Sequence, residues 1–399
     1  MPDWDTFDAF LEEAMDTPVD ERQQVVDALL RSRSEWPWIN GNRATFIYTS
    51  VAARRVALNL DTIEADPPFD PMTKMEGTTL WYVTREFADD DLLDYLLAID
   101  DPMTPLETET DIVGRISEHW RIDPRNPNKM ITNQLSVSVL RMPGARPYPD
   151  WTKMHRVPRG EVNEHTIDSR QLGFSDRKVW VYTPAEYNEK QTGRLMYPLL
   201  ILQDGQWCMG PLQIPYIADA LIKNRRMEPV IIAMIQSGDQ RDRIRTFVSN
   251  DKHYQFLLLE LLPFLQSNYR VDSTNLGIGG VAVGAIAAAH AALKNPAVFS
   301  HLAMISPPLG KGIAQDQLRS YIERFTNARA LPERIFQSVG RYETRSRFYL
   351  PAQALHSVLI RRDNIAYEYT EIGSGHGLVA FRSIFPEAMA FTFPGEAWE

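Results

Sequence analysis

Leu276-Gly-Ile-Gly-Gly-Val-Ala-Val-Gly-Ala285 reads as a buried strand entering a tight glycine turn, and Ile286-Ala-Ala-Ala-His-Ala-Ala-Leu293 reads as the helix that leaves it. The five residues at the turn are Gly280-Val281-Ala282-Val283-Gly284. They follow the G-x-S-x-G pattern in every respect except the central serine, which is replaced by Ala282. A strand–turn–helix of this kind presents its central residue at the edge of a sheet. Here that residue has no oxygen with which to attack anything.

Outward from this turn, the rhythm is strand, helix, strand. Strands are predicted at 178–183, 198–203, 229–235, 275–280, 300–305, 334–339 and 366–372, and helices at 251–267, 284–294, 313–328, 346–361 and 377–391. Apolar strands alternating with amphipathic helices imply a mostly parallel sheet covered by helices on both faces. Towards the N-terminus the texture differs. Phe7, Phe10, Leu11 and Met15 recur at helical spacing, and Val25, Val26, Leu29 and Leu30 mark a second short helix. Short β-branched or aromatic runs follow at 44–48, 55–60, 79–84, 93–98 and 135–140, separated by Pro, Asp and Gly, which suggests a small β-sandwich. The expected organisation is a helical segment at 1–40, a β-sandwich at 41–145, a linker at 146–165 and an α/β domain at 166–399.

Composition narrows the function classes. Hydrophobic residues are 44 % of the chain, enough for real cores, and the 52 acidic against 42 basic residues leave a net charge of −10. That balance argues against nucleic-acid or membrane-surface binding. Cys208 is the single cysteine, so an intrachain disulfide is impossible, and neither a metal nor a cofactor is expected. The acidic N-terminus lacks a signal-peptide pattern, and no apolar run approaches the ~18–20 residues of a membrane span, so a cytoplasmic protein is expected.

A glycine turn between strand and helix is the nucleophile elbow of the α/β-hydrolases, in which nucleophile, acid and histidine appear in that chain order. His376, in Gly373-Ser-Gly-His-Gly377 after the last predicted strand, fits the general base. Glu343, in the loop after strand 334–339, is the candidate for orienting its imidazole; Asp363 follows a helix and is the runner-up. Backbone amides would form the oxyanion hole, one from Val283 and one from the Asp204-Gly-Gln-Trp207 turn, at Gln206 or Trp207. Arg241, Arg243 and Arg245 form a basic stretch read as a loop after strand 229–235. With Trp207, they could bind an anionic, catechol-rich substrate, Arg245 most strongly.

Together these residues resemble the enterochelin (enterobactin) esterase family, whose members join an N-terminal β-sandwich to an α/β-hydrolase. The resemblance rests on Arg55-Val-Ala-Leu-Asn-Leu60, Gly77-Thr-Thr-Leu-Trp81, Asp123-Pro-Arg-Asn-Pro127, Pro198 to Trp207, Arg245, the elbow, Gly340 to Glu343, and Ser374 to Arg382. It implies hydrolysis of the ester backbone of a catecholate siderophore or a related aryl ester. The chain departs from the family pattern at Val281, Ala282 and Ala285 in the elbow, at Gly377, where the family has an acidic residue after the histidine, and at Arg243-Ile-Arg-Thr-Phe247.

Ala282 admits three readings. It is a serine-to-alanine change in a working esterase; or the chain is a natural pseudo-hydrolase that binds a ligand or partner without turnover; or His376 and the oxyanion hole act on bound water.

Overall fold

In a computed structural model, residues 4–132, 136–190, 193–310 and 320–397 are described. They divide into two compact units, one formed by residues 1–146 with 373–379, the other by 147–372 with 380–399.

The first unit opens with α1 (Phe7–Asp16), capped by the Thr6 side chain, and α2 (Arg22–Ser32). Phe7, Phe10, Val26 and Leu29 bury the apolar stripes of these helices against Trp36, Trp38 and Leu80. Ten strands follow: β1 (Trp38–Asn40), β2 (Arg43–Thr49), β3 (Val56–Leu60), β4 (Phe69–Pro71), β5 (Thr73–Lys74), β6 (Leu80–Glu86), β7 (Leu92–Ile99), then, after α3 (Ile112–His119), β8 (Trp120–Arg121), β9 (Lys129–Met130) and β10 (Val137–Arg141). They make two antiparallel sheets, ordered β1-β2-β6-β5 and β4-β3-β7-β10-β9, with β8 paired to β7. The expected sandwich is therefore present. The strand expected over 135–140 begins at Val137, Leu135 itself lying outside the described residues.

The Asp-Pro-Arg-Asn-Pro run is buried wiring for this sandwich. Asp123 accepts the Tyr95 hydroxyl at 2.7 Å, and Asn126 donates to Tyr95 at 3.0 Å and to the Val139 carbonyl at 2.9 Å. A buried carboxylate and amide are tolerated because their hydrogen bonds are made.

The second unit is an eight-stranded sheet ordered β11-β12-β14-β13-β15-β16-β17-β18. Its strands are β11 (Glu161–Ser169), β12 (Phe174–Thr183), β13 (Tyr197–Leu202), β14 (Ile231–Ile235), β15 (Val271–Val281), β16 (His301–Ile305), β17 (Arg334–Gly340) and β18 (Ala366–Ile372). β11, β12 and β14 pair antiparallel in sequence, and β14 to β18 run parallel. β13, β14 and β16 are buried at every residue, as strands covered on both faces must be. The helices are α4 (Gly205–Met209), α5 (Ile214–Lys223), α6 (Gln240–Phe247), α7 (Asp251–Phe256), α8 (Leu262–Asn268), α9 (Val283–Lys294), α10 (Tyr321–Asn327), α11 (Leu350–Leu359) and α12 (Leu378–Thr392). A π turn over Leu257–Leu261 joins α7 to α8. On one face Leu199, Ile201, Ile278, Leu302 and Met304 pack against Phe256, Leu265, Ile286, Phe325 and Leu355. On the other, Phe336 and His301 meet Phe391 and Phe393 of the C-terminal segment.

Three local expectations change. β11 occupies part of the expected linker as an antiparallel edge strand. The expected helix over 313–328 is described only from Tyr321, because residues 311–319 lie outside the described set. The basic stretch is a helix, α6, capped by the Asp239 side chain on the Asp242 amide at 2.8 Å. No described helix is long and apolar enough to cross a membrane.

Candidate active site

Parallel sheets gather their loops at the C-terminal ends of the strands, and in the second unit the candidate residues lie there: Asp204 after β13, Ala282 after β15, Glu343 after β17. Ala282 joins β15 to α9 at φ 51°, ψ −123°, a conformation an L-residue rarely takes. Its amide donates to the Ile305 carbonyl at 2.9 Å, which pins the turn to the end of β16. Of the flanking glycines, Gly280 is a steric requirement and Gly284 is tightly enclosed. A Cβ at Gly280 would lie 2.5 Å from the Gly284 carbonyl carbon, and one at Gly284 would lie 3.1 Å from both the Asp204 carboxylate and the Gln203 Cβ. The elbow therefore has its full geometry without its oxygen. Val283 supplies the first amide of α9, one of the four that a helix leaves without an internal acceptor. Ala285, which departs from the family pattern, lies on α9 and is wholly buried in the core.

The Asp204-Gly-Gln-Trp207 turn is held by a buried network. Asp204, itself in the left-handed region at φ 60°, receives Arg243 on both oxygens, from Nε at 2.7 Å and from Nη2 at 2.8 Å. Ser237 Oγ donates to the same carboxylate at 2.5 Å, and Gln206 exchanges hydrogen bonds with Ser237 through Nε2 at 2.7 Å and Oε1 at 3.1 Å. The network fixes the first turn of α4. Within it, the Trp207 amide donates to the Asp204 carbonyl at 2.8 Å.

The basic residues separate. Arg243 is 5 % exposed, paired with Asp204, and lies 4.4 Å from the Trp207 ring centroid. Its guanidinium is committed to Asp204, whereas the sequence reading has it facing a substrate. Arg241 and Arg245 lie on the solvent face of α6, and Arg245 pairs with Asp242 at 2.6 Å. An exposed pair of this kind contributes about 0–1 kcal/mol.

Glu343 is buried in the turn after β17, where its Oε2 accepts the Gly340 amide at 2.8 Å. Asp363, the runner-up acid, lies between α11 and β18, away from the strand ends that carry the other residues.

His376 belongs to the first unit with its glycine loop. Leu92 of β7 donates its amide to the Gly373 carbonyl at 2.8 Å, Ser374 Oγ donates back to the Leu92 carbonyl at 2.5 Å, and the His376 amide donates to Asp61 at 3.1 Å. His376 is exposed, whereas Gly373 to Gly375 before it are buried. Asp61 and Asp94 stand on either side of it. A side chain at Gly375 would overlap the Asp61 carboxylate, and one at Gly377 would lie 2.7 Å from Asp94 Oδ1. Gly377 thus has no side chain because a carboxylate from β7 fills that space. Burial, then repulsion from Asp61, pushes Asp94 up to about 7, and the nearby imidazole opposes the shift. Both aspartates were missed in the sequence, where the usable signal was one acid, Asp94, inside the apolar run Leu92–Leu97.

The raised Asp94 carboxyl gives the first prediction. The folded protein keeps this proton up to about pH 7 while the unfolded chain loses it near pH 4. The stabilisation is complete below pH 4 and is lost as pH rises to 7. Asp94→Asn should therefore raise Tm relative to the unchanged chain more at pH 8 than at pH 5, by about 2–4 °C per kcal/mol relieved. Equal shifts at both pH values would show that Asp94 carries no strained charge.

The sequence matches the Esterase family ("Putative esterase") over residues 169–391. It is 23 % identical over 245 residues to the iron(III) salmochelin esterase of Escherichia coli strain CFT073, an alignment spanning 60 % of this chain and 58 % of that relative. The enterobactin esterase of Shigella flexneri, solved in the presence of enterobactin, superimposes with a TM-score of 0.73 at 19 % identity, covering 91 % of this chain and 97 % of the other. The ferric enterobactin esterase of Salmonella typhimurium gives 0.74 at 20 % identity, with 92 % and 98 % covered. The chain belongs to the Esterase family, and its fold is that of the enterobactin esterases.

Proposed function

We propose that this chain is a carboxylic ester hydrolase of the enterochelin-esterase type in which alanine stands at the nucleophile position, and that it binds a catecholate siderophore ester or related aryl ester. The observation that carries this reading is the strained elbow at Ala282, φ 51° and ψ −123°, kept beside an intact oxyanion loop. In it, Val283 and Gln206 are the donors for the ester oxygen, and Glu343 and His376 hold the acid and base positions, roles that follow from chain order; with Ala282 in place the base has no hydroxyl proton to take, so the ester is bound and not cleaved. The names of its relatives, salmochelin and enterobactin esterases, supply the ligand class. The same reading places the protein in the cytoplasm.

A second reading, a natural pseudo-hydrolase, is favoured by two further departures. Gly377 is matched by the Asp94 carboxylate that fills its space, and Ala285 is integrated into the core. A single engineered change at Ala282 accounts for neither.

Titration of the chain with 2,3-dihydroxybenzoyl-serine, followed by tryptophan fluorescence, tests the ligand class. Saturable quenching is expected, with Trp207 as reporter, and Arg245→Ala should change the affinity less than twofold because Arg245 is exposed and already paired. Quenching by a neutral aliphatic ester but by no catecholate would reject the siderophore assignment.

A further inference from the structure

Arg382 lies on α12 with 7 % of its surface exposed. A buried guanidinium keeps its charge and needs an anion or a full set of acceptors. This one has neither among the described residues. Its polar contact is Nη1 to the Pro211 carbonyl at a long 3.4 Å. Nε is buried with no acceptor among the described residues. The Tyr148 ring covers one face of the guanidinium, 4.0 Å from its central carbon. The acid that acts on it electrostatically, Asp150, is engaged by Thr152, Gln213 and Lys153. Burial accordingly lowers the Arg382 pKa.

The unsatisfied donor is Nε, which with Nη2 forms the edge whose two parallel donors grip a carboxylate. Stacking on Tyr148 holds the guanidinium plane in place beforehand, so little is lost in ordering it. Its location is suggestive as well. Pro211 follows α4, and the next residue, Leu212, donates its amide to the Trp207 carbonyl at 3.0 Å, so Arg382 touches the loop that leaves the oxyanion helix.

We propose that Arg382 is the seat of a ligand carboxylate. This deepens the function proposed above and rests on it for the identity of the ligand: the preferred form is a linear aroyl-serine fragment with a free carboxylate, not a neutral cyclic ester. Arg382 is then a specificity residue that selects for charge at one end of the ligand.

The test compares 2,3-dihydroxybenzoyl-serine with its methyl ester, on the unchanged chain, Arg382→Met and Arg382→Lys. The free acid should bind the unchanged chain at least tenfold more tightly than the methyl ester. R382M should remove that preference by bringing free-acid affinity down towards that of the methyl ester, and R382K should retain part of it. R382M should also keep or raise Tm, since it deletes an uncompensated buried charge; a purely structural arginine would lose Tm and leave the acid-to-ester ratio intact. Benzoate, which has neither catechol nor ester, separates this proposal from the ligand class. It should raise Tm of the unchanged chain and not of R382M. If catecholates fail to bind but benzoate behaves this way, the siderophore reading falls and the carboxylate seat stands. An acid-to-ester ratio that R382M leaves unaltered, or no Arg382-dependent response to benzoate, overturns the proposal.

Discussion

Ala282→Ser is expected to create hydrolysis of an activated aryl ester, with a gain of about 10⁵–10⁶ in turnover over the alanine form, the scale on which loss of a triad serine is felt. The backbone cost of the elbow is already met. Position 282 holds its positive φ with an alanine, and the Gly280 and Gly284 contacts that force the turn are unchanged by adding one oxygen. The new hydroxyl would sit at the head of α9, where the Val283 amide and the helix dipole favour developing negative charge. Release of 4-nitrophenolate from its butyrate ester measures the effect. His376→Ala in the serine background should return the rate to that of the alanine form. A folded A282S protein no faster than its parent would end the hydrolase reading of this elbow and leave the binding-protein reading.

Arg243→Met is expected to produce the largest loss of stability. It strips the bidentate partner from Asp204, whose carboxylate is 2 % exposed with its residue in the left-handed region. Breaking a buried pair from one side costs about 3–5 kcal/mol, because the remaining charge has no solvent to return to. At about 2–4 °C per kcal/mol, Tm should fall by roughly 6–20 °C. The damage should reach function as well, since Asp204, Ser237 and Gln206 hold the first turn of α4. In the A282S background, R243M should lower turnover beyond what unfolding explains. A Tm within 2 °C of the parent would show that the network is not what holds this loop.

Arg241, Arg243 and Arg245 show where local pattern stops being informative. Read as a loop, the three are equivalent. Read as a helix, 241 and 245 share a face and 243 opposes them. Asp239 as N-cap was the available sign of a helix, and the expectation of a loop concealed it. Asp94 and Arg382 were hidden differently. Each is a charged residue in an apolar run, and which charge is paired depends on segments far away in sequence.

The sequence by itself determined the layered architecture. Strands covered on both faces must be continuously apolar, and strands with one wet face must alternate, so strand placement follows from solvation alone. It also determined the elbow, because two glycines and a small helix after an apolar strand leave one way to turn. Only the tertiary structure decided how far polar groups are buried, what they meet there, and hence what they do: Arg243 on Asp204, Asp94 in the space beside Gly377, and Arg382 with its Nε lacking an acceptor among the described residues. Side-chain charge is written in the sequence, whereas its cost is set by how much water the fold removes around it and by which partner, brought from elsewhere in the chain, takes the water's place.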